Sequence, residues 1–434
     1  MDPFMKTRLL PWALAALLAG CSRQSPPRER DAEAETDAAT TAATGPAEAS
    51  LPLPTTPVTT PVTTPATTPA EAPTPGRAVL SFAMDIHRTW RADIERRETT
   101  AALSPLSIAG ALALLHAGAR GETRDELAHA LHLSPGVSAA DLLKLETRAA
   151  AGFEVSRGQR VFADGNLAVT PDYRHAVGAA FASLDFRNPE HARGEINRWT
   201  MTTTRGHIPA LLGPGSIDDR TRLVLVDALF AAARWATPFD PARTRPESFT
   251  TLGGAIESIP MMVADTSTHR FASTRAYDAV DLACADAEHA LLIIAPTPGR
   301  FDEVDASLDL KGFDRIVASL GTGRVILSMP RFRAALPTTS LKSQLQALGI
   351  SQAFDARANL EGITRGRLNV DDVVHAATID VDESGARAAA ATALVLTPPA
   401  APPSITLNRP FLFWLRNVRT GAPIVMGRFM GGGG

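Results

Sequence analysis

The sequence predicts an α+β fold, with helices and buried strands in the same chain. Near the start of the folded part, apolar residues recur at helical spacing and share one face: Val79, Phe82, Ala83, Ile86, Trp90 and Ile94. Residues 223–230 instead form an apolar run interrupted only by Asp227, which is typical of a central strand buried on both faces. A hydrophobic fraction of 45% allows the sizeable core that such a fold needs.

A third observation is the alanine-rich segment that begins near residue 383. Its alternate residues are small or apolar, as expected for a strand with one face ready for a core: Ala386, Ala388, Ala390, Thr392, Leu394 and Leu396. Four prolines between residues 398 and 403 make the far end typical of an exposed, extended loop. A segment that suits both a surface loop and a buried strand indicates a conformational switch.

Residues 1–20 have the pattern of an export signal. Lys6 and Arg8 precede an apolar stretch, residues 9–19, that is too short to span a membrane. The sequence Leu-Ala-Gly-Cys21 resembles the bacterial lipobox, in which the cysteine is lipidated and becomes the mature N-terminus. The alternative is an ordinary signal peptide followed by a chance cysteine.

Residues 21–76 are predicted to be a disordered linker rich in threonine, proline and alanine. Thr-Thr-Pro occurs four times between residues 55 and 69, and large apolar residues are almost absent. Such a segment cannot bury enough surface to fold, and its prolines favour an extended spacer that holds a domain off a membrane. The alternative is a tail without a role. If Cys21 carries lipid, Cys284 has no partner for a disulfide within the chain.

Several short motifs follow in a fixed order, and residues 383–392 fit the pattern Glu-x-Gly-x-x-Ala-Ala-Ala-x-Thr. The others are Ser-Pro-Leu-Ser-Ile at 104–108, Gly-Ala-Arg-Gly-Glu-Thr at 118–123, Ile-Asn-Arg-Trp at 196–199, Ile-Pro-Met-Met at 259–262, Ser-Met-Pro-Arg-Phe at 328–332 and Asn-Arg-Pro-Phe-Leu-Phe at 408–413. Together they resemble the serpin family over residues 77–431. The resemblance implies a fold of three β-sheets, about eight or nine helices and an exposed reactive-centre loop.

The resemblance also implies site residues. The hinge of the loop would comprise Glu383, Gly385, Ala386, Ala388, Ala390 and Thr392. A shutter group under the central sheet would comprise Ser104, Ser107, Asn197, Asp227 and His375. Trp235 would lie at the breach, the top of the sheet where the loop first inserts.

Two shutter positions carry particular expectations. Serpins usually have asparagine where this chain has Asp227, which could pair with a protonated His375 or could bond a serine instead. Ser104 is expected to cap a helix with Pro105 at its first position. Ser107 is expected to be a core-facing polar group with a partner.

The function implied is suicide inhibition of a protease. Counting along the loop from Glu383, and back from Pro410, places the scissile bond at Pro399–Ala400, with Ala400–Ala401 as the alternative. A covalent complex would form, with serine proteases preferred over cysteine proteases and elastase-like or subtilisin-like enzymes as targets. The alternatives are a non-inhibitory serpin of a binding or chaperone type and a lipoprotein scaffold or adhesin with an incidental serpin domain.

Other function classes find no support in the sequence. It has no Gly-x-Ser-x-Gly, phosphate-loop or His-Glu-x-x-His motif, and its ten histidines lack ligand spacing, so we expect no enzyme activity, cofactor or metal site. A formal charge of −3 with scattered Lys and Arg gives no reason to expect nucleic-acid binding. We expect a monomer that is lipid-anchored in a bacterial cell envelope, outward of the cytoplasmic membrane, with surface-exposed or secreted forms as alternatives.

Overall fold

The structure, a computed structural model, describes residues 73–91, 98–145, 153–384 and 402–432. These residues lie in one structural unit, Pro69–Gly434. Cys21, the linker, the hinge residues from Gly385 onward and both candidate scissile bonds lie outside the described residues.

The described residues form nine α-helices and fourteen strands. The helices are α1 (Pro75–Arg91), α2 (Pro105–Gly118), α3 (Gly121–Ala130), α4 (Ala139–Leu143), α5 (Pro171–Val177), α6 (Pro189–Thr203), α7 (Phe301–Ala306), α8 (Leu310–Ser319) and α9 (Lys342–Ala347). The strands are β1 (Ala101–Leu103), β2 (Phe153–Asp164), β3 (Phe181–Leu184), β4 (Leu223–Ala233), β5 (Arg245–Thr250), β6 (Ile256–Ser273), β7 (Tyr277–Ala283), β8 (His289–Pro296), β9 (Gly321–Pro330), β10 (Phe332–Ser340), β11 (Asp372–Val381), β12 (Ser404–Thr406), β13 (Phe411–Asn417) and β14 (Pro423–Phe429).

The strands form a central sheet and a larger outer sheet. The central sheet has the order β10-β11-β4-β2-β3. The outer sheet has the order β1-β14-β13-β8-β7-β6-β9-β12, with β5 paired to β6. Two of the three sheets expected from the resemblance are joined here, because the long strand β6 continues through an irregularity between Ala264 and Ser267 and pairs with β9 on both sides of it.

Strand β4 is the central strand that its apolar run predicts. It pairs with β2 on one side and β11 on the other. Leu225 and Leu229 pack into the core on one face of the sheet, and Val224 and Val226 pack into a second core on the other face. Each such side chain contributes roughly 1.5–3 kcal/mol through burial, so both faces hold this strand in place.

Helix α2 lies under the central sheet. Ser104 caps it by accepting a hydrogen bond from the N–H of Ser107, and Pro105 occupies the first turn, which confirms the predicted helix start. All of its residues except Ala117 are buried, so α2 is a core helix with no solvent face.

In the described residues, no helix is long and apolar enough to span a membrane.

Gly427 on β14 occupies a position where a side chain cannot fit. A Cβ there would overlap the carbonyl oxygen of Ala101 and the ring of Phe413. We expect Gly427→Ala to destabilise the protein by about 1–3 kcal/mol, the usual cost of overpacking. The matched change Gly194→Ala, in helix α6 with open space around it, should stabilise the fold slightly. Thermal unfolding of the two variants should therefore shift in opposite directions, and equal midpoints would contradict this packing.

Candidate functional site

The site is the junction between β4 and β11 in the central sheet. The two strands are direct neighbours and run parallel, with residues 372–380 opposite residues 224–232. No other strand lies between them. Parallel pairing is slightly less stable per residue than antiparallel pairing, so this junction is the weaker kind of ladder in the sheet.

The chain leaving β11 is fastened at one end of this junction. The indole Nε1–H of Trp235 donates to the carbonyl of Asp382 over 2.7 Å, and the backbone N–H of Trp235 donates to the carbonyl of Ser384 over 3.0 Å. The N–H of Phe239 donates to the carbonyl of Glu383. Trp235 is buried at the position predicted for the breach, and its indole bond to Asp382 is partly buried.

The side chain of Glu383 adds a further attachment. The hydroxyl of Thr244 donates to its carboxylate over 2.5 Å, while Nη1 of Arg331 lies 3.7 Å away. The Arg331 side chain is half exposed, so this ion pair contributes little, and the hydrogen bond to Thr244 is the stronger anchor. The chain that follows β11 is thus held up to Ser384, the last residue described before residue 402.

A buried cluster joins β4, β11 and α2 midway along the junction. Nε2 of His375 accepts from the backbone N–H of Ser104 over 3.1 Å, and Nδ1 lies 2.7 Å from Oδ2 of Asp227. Since a backbone N–H can only donate, Nε2 must be unprotonated and Nδ1 must carry the ring proton. The expected pairing of Asp227 with His375 is therefore present, but the ring is neutral. In a protonated ring, the N–H at Nε2 would face the N–H of Ser104, and both groups are donors.

Ser104 and Ser107 take different parts in this cluster. The hydroxyl of Ser104 donates to the carbonyl of Ile424 over 2.7 Å and accepts from the N–H of Ser107. The hydroxyl of Ser107 is fully buried and has no hydrogen-bond partner in the described part of the chain. The expectation that it has a partner is wrong, because the hydroxyl of Ser104 is already engaged by the Ile424 carbonyl and the helix cap.

Asn197 is not brought into the cluster. Its side chain on α6 accepts from the N–H groups of Leu211 and Leu212 and donates to the carbonyl of Leu212. Ile196, its neighbour in α6, packs with Val226 in the core on the face of the sheet away from α2. Asn197 therefore fastens the chain that follows α6, on the opposite side of the sheet from His375.

The comparisons with known proteins agree with this arrangement. The family model Serpin (serine protease inhibitor) matches residues 77–431. The chain belongs to the serpin family. Among serpin sequences, Iripin-1 of Ixodes ricinus is 31% identical over 337 residues, covering 73% of this chain and 85% of its own. Human glia-derived nexin is 31% identical over 346 residues, covering 75% and 86%.

Solved structures confirm the serpin fold. Uncleaved ovalbumin superposes with a TM-score of 0.77 at 23% identity, covering 83% of this chain and 100% of its own. Native protease nexin-1 with heparin superposes with a TM-score of 0.74 at 28% identity, covering 82% and 100%. The family description is that of a serine protease inhibitor.

The buried cluster includes two further side chains that the sequence did not single out. Arg157 on β2 donates through Nη2 to the carbonyl of Leu106 over 3.2 Å, and Gln159 donates through Nε2 to the carbonyl of Ser107. Burial lowers the pKa of the Arg157 guanidinium, and the nearby Asp227 carboxylate opposes that shift. Alternation along β2 places both on one face, but only the structure shows that this face meets α2.

The cluster cannot act as a catalytic triad. The hydroxyl of Ser104 bonds to Ile424 rather than to His375, which meets the backbone of Ser104 instead. His375 and Asp227 are each at most 1% exposed, so no substrate reaches them.

The described residues contain no group of metal-binding side chains. Burial raises the pKa of the Cys284 thiol to about 12, as expected for an inert thiol.

The tautomer of His375 can be measured directly. We expect selectively ¹⁵N-histidine-labelled protein near neutral pH to show a protonated Nδ1 and an unprotonated Nε2 for His375, without averaging. The exposed His175 is the control and should show averaged signals. Signals from two protonated nitrogens at His375 would mean that the ring is charged and that the Ser104 N–H bond is absent.

Proposed function

We propose that this serpin inhibits proteases by a suicide mechanism. A serine protease takes the segment around residues 399–401 as substrate, and its nucleophile forms an acyl-enzyme at the cut. The freed hinge then inserts between β4 and β11 and carries the tethered protease with it. Distortion of the protease active site stops deacylation.

The direct parallel pairing of β4 with β11 is the observation that carries this proposal. A strand that continues from β11 and turns back between the two would run antiparallel to both. Insertion therefore replaces one parallel ladder with two antiparallel ladders. The attachment of Glu383 and Ser384 beside Trp235 supports the proposal, because the chain that would insert leaves from one end of this junction.

The energy for insertion comes from hydrogen bonds and burial. Each added backbone bond is worth about 1 kcal/mol net. Leu394 and Leu396 on the inserting face should each add roughly 2 kcal/mol through burial. The described state, with β4 and β11 still paired, is then a kinetic trap whose lifetime depends on the rate at which they separate.

The target follows from the residues near the cut. No Lys or Arg lies between Thr392 and Asn408, so a trypsin-like pocket would leave its buried carboxylate unpaired. A small residue at the cut, with proline before it, suits elastase-like and subtilisin-like pockets. We infer that such enzymes are the targets.

Incubation with proteases tests function and target together. We expect an SDS-resistant complex with a subtilisin-like or elastase-like protease and none with a trypsin-like one, and the released C-terminal peptide should begin at Ala400 or Ala401 by mass spectrometry. Covalent trapping of the trypsin-like enzyme would contradict the specificity. Release of cleaved protein without a complex for every protease would favour a non-inhibitory serpin.

The hinge residues give a second prediction. Ala388→Arg should place an unpaired charge on the inserting face, at a cost of several kcal/mol. Insertion should stall, and the variant should be cleaved as an ordinary substrate. Ala389→Arg is the matched control, because the alternation would place this side chain on the outward face of the inserted strand, and complex formation should stay intact. Equal complex formation by the two variants would show that the alternation is wrong.

We also propose that the serpin is lipid-anchored through Cys21, with residues 22–76 as a spacer outward of the membrane. In a bacterial host that processes lipoproteins, the unchanged protein should incorporate labelled palmitate and partition into membranes. Cys21→Ser should abolish the label and release the protein from the membrane fraction. A label that survives this change would exclude Cys21 as the lipidation site.

A further inference from the structure

Strand β2 places a cation beside the unusual aspartate of the shutter. In the β2–β4 ladder Gln159 is opposite Asp227, so Arg157 is a diagonal neighbour of Asp227 on the same face of the sheet. Arg157 reaches the first turn of α2 through its bond to the Leu106 carbonyl. Asp227 is 1% exposed, and a buried carboxylate is costly unless a charge or hydrogen bonds compensate it.

The neutral ring of His375 gives Asp227 a hydrogen bond but no compensating charge. Two buried atoms in this region also lack hydrogen-bond partners among the described residues: Oδ1 of Asp227 and Nε of Arg157. One is an acceptor and the other a donor, and they belong to side chains of opposite charge on adjacent strands. These two atoms do not bond to each other, and the two side chains form no ion pair in this state. Arg157 thus offers Asp227 a nearby charge and a donor that is free to bind the carboxylate once His375 leaves.

Separation of β4 from β11 changes the surroundings of Asp227 on one side only. Neighbouring strands lie about 4.8 Å apart, so an inserted strand would widen the junction by about that distance. The 2.7 Å contact between His375 and Asp227 spans the junction and must break. The β2–β4 ladder pairs residues 153–163 with 223–233 and stays closed, so Arg157 remains beside Asp227.

We propose that Arg157 is a positioning residue for strand insertion, because it holds the Asp227 carboxylate when β11 carries His375 away. Without it, insertion would leave a buried carboxylate with neither its hydrogen bond nor a counter-charge. With asparagine at position 227 there would be no charge to hold. This inference rests on the proposed insertion mechanism and concerns how this chain tolerates an aspartate in its shutter.

The test measures insertion without relying on inhibition. Thermolysin, a metalloprotease that forms no acyl-enzyme, would cut the loop near residues 394–396, and mass spectrometry would verify the cut. The rise in thermal midpoint from intact to cut protein then reports insertion. The set comprises the unchanged protein, Arg157→Gln, Arg157→Lys, Asp227→Asn, the double variant Arg157→Gln/Asp227→Asn, and Arg160→Gln.

We expect Arg157→Gln to lose at least half of the rise shown by the unchanged protein. Arg157→Lys should retain most of it, and the double variant should recover it, since neither charge is left. Arg160→Gln controls for loss of an arginine on β2, because Arg160 lies on the opposite face over the ring of Trp199. It should retain the full rise in thermal midpoint. If Arg157→Gln does not fold, the lysine and double variants still decide the matter.

The outcomes separate this inference from the function on which it rests. No rise in the unchanged protein would overturn insertion and, with it, the role of Arg157. A normal rise in the unchanged protein and in Arg157→Gln would overturn the role of Arg157 alone. A double variant as impaired as Arg157→Gln would also overturn it, because Arg157 would then act through Leu106 rather than through the charge of Asp227.

Discussion

The hydrogen bond between the neutral ring of His375 and Asp227 is the interaction on which the closed junction of β4 and β11 depends. It lies midway along the junction of β4 and β11, and the N–H of Ser104 fixes the ring from below. The junction is therefore closed midway by this side-chain bond across the strands, in addition to a parallel ladder. Both must be given up before a strand can pass between them.

The surrounding structure supports this closed junction from three sides. Helix α2 presents its capped start to the underside of the sheet, and Arg157 and Gln159 bind the carbonyls of its first turn. At one end, Trp235 and Thr244 hold the chain that leaves β11. In the proposed mechanism, opening would separate β11 from an assembly of β2, β4 and α2 that stays together, and a large rearrangement would leave most of the core unchanged.

Local patterns made much of the fold predictable. The apolar run identified β4, and Ser104 and Pro105 identified the start of α2, because both patterns depend on neighbours in sequence. The protonation of His375 was not predictable, since it is set by Ser104, 271 residues away in the chain. Three other features likewise depend on which strand face meets which helix: the unpartnered hydroxyl of Ser107, the position of Asn197 across the sheet and the proposed role of Arg157. The hinge is recognisable because its alternation is local.

Amide hydrogen exchange before and after a loop cut is the most direct measurement of the central claim, that β4 and β11 open to admit the hinge as a strand. In the cut protein, residues 386–393 should become strongly protected, and the amides of β4 and β11 should exchange more slowly than in the intact protein. Unchanged exchange in all three segments would show that no strand enters this junction.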